Sequence, residues 1–182
     1  MDLGKFLLQE KEAILGKWFQ AVTETYPPET ARMLKAESNE FANPVGHATR
    51  NGLAGVYDEF IQESENDKIS PFLDRVIRIR AIQDFSPSQA ITFVFLLKQI
   101  VRNRLGETTP GEAVSREDLA AFDSRVDGLA LLAFDIYMQC RERLFEVRVA
   151  EVKNRTHRLL QMANLVGEIP GQGSELEDGR KQ

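Results

Sequence analysis

Apolar side chains recur every three to four residues through nearly all of the chain, the period of a helix that buries one face. Leu3, Phe6, Leu7, Ile14, Leu15, Trp18, Phe19 and Val22 form the first stripe. Asp2 stands where an N-cap belongs. Tyr26-Pro27-Pro28 ends the run, because proline disfavours helix at the residue before it and cannot continue one. A short helix is predicted from Pro28 to about Ala36, with the proline opening it. Asn43-Pro44 reads as a cap plus first helical residue, leading a helix through Leu53, Val56, Tyr57, Phe60 and Ile61 that stops near Glu63 in the polar run ESENDK. Ser70-Pro71 and Ser86-Pro87 predict two more starts. The first carries Phe72, Leu73, Val76, Ile77 and Ile79 to about Gln83. The second carries Ile91, Phe93, Val94, Leu96, Leu97, Ile100 and Val101 to a C-cap at Gly106, and is apolar around enough of its circumference to be central. Glu107 to Val114 predicts a loop.

Ser115 and Asp118 resemble a capping box in front of the longest pattern. Leu119, Phe122, Val126, Leu129, Ala133, Ile136 and Cys140 alternate steps of three and four. The stripe then slips by one residue and resumes as Phe145, Val149, Val152, Thr156, Leu159, Ala163 and Val166. Nothing breaks helix before Gly167, so one helix of about fifty residues is expected, about 75 Å long. A domain of this size is about 35 Å across. The expected organisation is therefore a helical bundle over residues 1–140, a continuation of the last helix over 141–167 that projects as a coiled-coil segment, and a flexible polar tail over 168–182. A slip between two seven-residue registers is also a place where a helix can rotate.

Composition narrows the class. Hydrophobic residues make up 42% and charged residues 28% of the 182, which is ordinary for a folded globular domain and argues against disorder. The net charge of −5 gives no overall reason to expect nucleic acid. Cys140 is the one cysteine, so no intrachain disulfide can form and a reducing compartment is expected. The opening MDLGKFLLQEKEAILGKWF interrupts its apolar positions with charge, unlike a signal peptide, and no run of eighteen apolar residues occurs. A cytoplasmic protein without membrane insertion is the expectation.

Candidate chemistry is sparse. The histidines are His47 and His157. His157 lies in the polar, Arg-rich KNRTHR. His47 falls in a helix's first turn, where the dipole disfavours its protonated form. It is the weak candidate for a haem ligand, against the plainer reading of a histidine packed near Asn43-Pro44. No Cys/His/Asp group has zinc spacing, and no cofactor or metal is expected. Cys140 lies on the apolar seam and reads as a buried, inert thiol. There is no G-x-S-x-G, phosphate loop or P-loop lysine, so no catalytic residue is assigned and the chain is not read as an enzyme. From Arg141 to Arg158 six basic side chains stand against three acidic ones. That stretch lacks interleaved aromatics, so a solvated face or an acidic partner fits better than nucleic acid. With Val149 as a and Val152 as d, a parallel pair would set Arg148 near Lys153 of the other chain, whereas an antiparallel pair would set Glu146 against Lys153. Exposed pairs contribute only a few tenths of a kcal/mol, so antiparallel or heteromeric pairing is weakly favoured. Phe145, Val149, Val152 and Leu159 are the candidate interface. Leu160 and Met162 lie off that seam.

One combination is unusual as a whole: Trp18, the Tyr26-Pro27 stop, then Phe41-Ala42-Asn43-Pro44-Val45-Gly46-His47. It resembles the N-terminal domain of the RsbR/RsbRD family, co-antagonists in bacterial stress-response complexes, over roughly residues 10 to 140. Read without that resemblance, the same element is a helix-entry turn in which Asn43 caps, Pro44 starts and Phe41 staples against the helix. The resemblance implies an all-α, globin-like bundle, typically without haem, that senses a signal or binds a partner and dimerises through helices. Longer members feed a helix into an output domain. Here the chain ends soon after the long helix, so a separately encoded output partner is expected. The functional expectation is a signal-sensing or regulatory adaptor acting as a homodimer or on a separate regulatory protein through the long helix. The rival is a haem- or small-ligand-binding globin-like protein.

Overall fold

The computed structural model describes residues 1–36, 41–108 and 114–163. It is all helical over those residues, with α1 Leu3–Gln9, α2 Lys11–Glu24, α3 Pro28–Ala36, α4 Pro44–Ile61, α5 Asn66–Ile82, α6 Pro87–Thr108 and α7 Arg116–Met162. The chain divides into a unit over Met1–Leu144 and a second over Phe145–Gln182. No described helix is long and apolar enough to cross a membrane.

The caps read from sequence form. The Asp2 carboxylate accepts from the amides of Gly4 and Lys5. The Asn43 side chain accepts from Gly46 with Pro44 as first helical residue, and Ser115 Oγ accepts from the Asp118 amide at 2.9 Å. Ser86 and Gln89 cap each other, Ser86 N–H to Gln89 Oε1 and Gln89 N–H to Ser86 Oγ.

Four expectations are corrected. The first stripe is two helices, not one. Backbone angles at Glu10 depart from helix (φ −93°, ψ 8°) while its carboxylate is held by Arg104 of α6 at 2.7 Å, and both halves still bury their apolar faces. The fifth helix starts at Asn66 rather than at Ser70-Pro71. Pro71 lies within it, past the first turn, so the helix does without one amide donor there, and Ser70 Oγ donates to the Asn66 carbonyl at 2.8 Å. Gly106 caps nothing: α6 runs through it to Thr108, where Lys17 and Arg104 both hold Glu107, so Glu107 and Thr108 are helix rather than loop. The rest of that expected loop, 109–113, lies outside the described residues, as do 164–167, where the end of the long helix was expected, and the tail. Phe41 does not staple: it is 94% exposed.

In the first unit the core joins α1, α2, α4, α5, α6 and α7. Trp18, Leu53, Val56, Leu73, Ile77, Phe93, Leu97 and Val126 are at its centre. α7 contributes the stripe read from sequence, with Phe122, Val126, Leu129, Ala133, Ile136 and Cys140 buried and Leu119 partly so. α4 and α5 cross closely because Gly52 and Gly55 lack side chains where Val76 and the Phe72 ring lie. A second, smaller cluster of Tyr26, Ala31 and Leu34, with Val45 and Phe85 against it, holds α3. In the second unit Phe145, Val147, Val152, Leu159, Leu160 and Met162 are exposed and Val149 is partly so.

Candidate functional site

Asn43 explains most of the F-x-N-P-x-G element. Its side chain is buried and serves two helices. Oδ1 accepts from Gly46 N–H at 2.9 Å, closing the start of α4, and Nδ2 donates to the carbonyls of Met33 and Leu34 at 3.2 and 2.9 Å, closing the end of α3. Gly46 is required there because a Cβ would fall on the Asn43 side chain. Pro44 is exposed and supplies the first turn. His47 is partly buried, its amide bonded to the Asn43 carbonyl and its Nε2 2.8 Å from Asn51 Nδ2. That contact occupies one of the two ring nitrogens. His157 is exposed, and no described group of three or more His, Cys, Asp or Glu could hold a metal ion.

The other motif residues flank a side chain the sequence reading did not single out. Trp18 is fully buried, donates Nε1–H to the Phe93 carbonyl at 2.8 Å and packs on the Phe93 ring. Tyr26 is buried edge-on against Phe85, and Pro27 is exposed. Between Tyr26, Phe85 and Phe93 lies the guanidinium of Arg80, 5.3, 4.3 and 5.7 Å from the ring centroids. A signal existed: Leu73, Val76 and Ile77 lead at helical spacing to position 80, so a charge stands on a buried stripe. The Asn43 element and the Trp18–Tyr26 pair are thus separate places, linked by the small cluster under α3.

Cys140 is buried, its Sγ 3.8 Å from an Asp74 oxygen. Burial first, then the Asp74 charge, push its thiol pKa up, the opposite of a nucleophile's requirement. Two open clefts of about 380 and 320 Å³ lie either side of Arg125, sharing Glu63. Arg125 is already committed to Glu63 and the Phe60 carbonyl.

On α7, Leu131, Met138, Phe145, Val152 and Leu159 recur every seven residues, and all are exposed. Phe134 is exposed beside the first two. The slip read near Cys140 is therefore a change of line. The buried stripe ends at Cys140, while this second line keeps one register from Leu131 onward. Of the candidate interface residues, Phe145, Val152 and Leu159 lie on it and Val149 lies four positions after Phe145.

The family model described as "RsbT co-antagonist protein rsbRD N-terminal domain" matches residues 12–152. An uncharacterized protein of Archaeoglobus fulgidus is 27% identical over 92 residues, covering 50% of this chain and 56% of that protein. The match thus spans little more than half of that relative's length. No solved structure matches.

Proposed function

Because this chain belongs to the family of RsbT co-antagonist rsbRD N-terminal domains, we propose that it is a non-catalytic sensor module of the stressosome type, working by protein–protein contact in the cytoplasm. The observation that carries this reading is the line of Leu131, Met138, Phe145, Val152 and Leu159, each at least 40% exposed on α7. Large apolar side chains repeated at seven-residue spacing are an association seam when another helix covers them. The partner proposed is a second copy of the chain, and the seam is the means by which a change in the bundle is passed on. The single cysteine supports a reducing compartment.

Light scattering on the full chain tests this. A dimer is expected, turning to monomer when Phe145 and Val149 are both changed to Glu while the thermal melt of the bundle is retained. A monomer at every concentration would remove the second copy, and a dimer that survives both changes would remove the seam.

A further inference from the structure

Arg80 is 1% exposed and forms no ion pair among the described residues. Nη2 donates to Thr25 Oγ1 and to the Gln89 carbonyl, both at 2.9 Å. Nε and Nη1 are buried with no hydrogen-bond partner. Burial pulls its pKa down, the nearby Tyr26 hydroxyl opposes that by favouring the charge, and a guanidinium stays charged in any protein. The three aromatic faces compensate part of the lost hydration, but a buried charge with no counter-ion among the described residues is costly. An apolar side chain of similar length would fill the same space at no such cost.

We propose that Arg80 is the receptor for a small organic carboxylate, whose charge it takes up and whose apolar body lies against Tyr26 and Phe85 when α3 lifts. Three features select this class. The single guanidinium described there suits a single negative charge. A flat carboxylate matches the guanidinium fork. The walls are aromatic rings, which suit an apolar body rather than an inorganic ion.

The fork also explains how binding would be felt. A carboxylate uses two parallel N–H groups on one edge, and Nη2 belongs to both usable edges. Binding therefore takes Nη2 from Thr25 Oγ1 or from the Gln89 carbonyl. Thr25 is the C-cap of α2, one residue before Tyr26 and three before α3. Among the described residues α3 is held by Ala31 and Leu34 in the small cluster, the Asn43 cap and an exposed Lys35–Glu24 pair. A nine-residue helix that buries Ala31 and Leu34 and turns its other face outward is an element expected to open locally. On the other side, Phe85 and Asp84 are gripped by α7, through Tyr137 Oη–H to the Phe85 carbonyl and Arg141 to Asp84 and the Ala81 carbonyl. The site would give the proposed sensor a ligand, but its chemistry rests on Arg80 alone.

The test follows the Arg80 Nε–H resonance in the full chain during titration with butyrate at constant ionic strength, with butyramide as the neutral counterpart. A saturable shift is expected with butyrate at tens of millimolar, the range of a weak single-site ligand, and none with butyramide. Butyrate should also raise the melting midpoint of wild type and leave that of Arg80→Met unchanged. An Nε–H resonance that butyrate leaves in place overturns the site, and this arm needs no variant to fold. An equal midpoint rise in Arg80→Met overturns it too. Neither result touches the α7 seam, which light scattering tests separately.

Discussion

The side-chain amide of Asn43 donates to the carbonyl of Leu34 at 2.9 Å while its oxygen accepts from Gly46 N–H at the same distance. One buried residue therefore ends α3 and begins α4. Asn43→Ala should cost about 1–3 kcal/mol, a lost cap plus unsatisfied buried groups. Asn43→Asp is the more informative change. It keeps the acceptor for Gly46 but turns a negative oxygen toward the α3 carbonyls, so it should lose nearly as much. Urea unfolding of both variants measures this, and an Asp variant as stable as wild type would mean the α3 contact contributes nothing.

Two glycines should respond in opposite senses to alanine. Gly55 faces the Phe72 ring, and a methyl group there must push α4 from α5, costing about 1–3 kcal/mol by overpacking. Gly16, exposed in α2 with open space around it, should gain up to about 1 kcal/mol from helix propensity. Thermal melts of the two single variants, which add the same atom, decide whether close approach is what position 55 requires.

The pair of ties at the end of α6 is pH-sensitive in a definite direction. Hydrogen bonds from Lys17 and then Arg104 hold the Glu107 carboxyl below its ordinary value of 4.5. A depressed folded-state pKa means that the contribution to stability is present above 4.5 and is lost as pH falls through the lower folded value. The carboxyl carbon of Glu107, followed by NMR, should titrate below 4.5 in wild type and move back up in Lys17→Gln. High salt should shrink the difference, because the site is exposed.

Cys140 should behave as a protected thiol. With its pKa raised by burial and by Asp74, the native protein should react with a thiol reagent far more slowly at pH 8 than the urea-unfolded chain. Asp74→Asn removes the second cause and should speed the native reaction modestly. Equal rates in folded and unfolded protein would show that the end of the buried α7 stripe is open to solvent.

Helix identity was legible because it is local. Asp2, Asn43 with Pro44, Ser86 and Ser115 satisfy amides two or three residues away, and the apolar stripe from Phe122 to Cys140 needs only a period to be read. The family motif was legible for the same reason, as a short run with defined spacing. Its physical role was not, since the donors of Asn43 reach back nine and ten residues to carbonyls whose position depends on how α3 packs.

Tertiary structure decided the remainder. It bent the first stripe at Glu10, where Arg104 lies 94 residues away, and carried α6 past Gly106, where Lys17 lies 90 residues from Glu107. It left Phe41 in solvent, showed the second line on α7 to be exposed, and enclosed Arg80 between rings from three other parts of the chain. The sequence by itself determined what each segment could satisfy within a turn or two of its own backbone. Which charges were buried and which apolar faces stayed uncovered depended on neighbours distant in sequence, and no local pattern contains them.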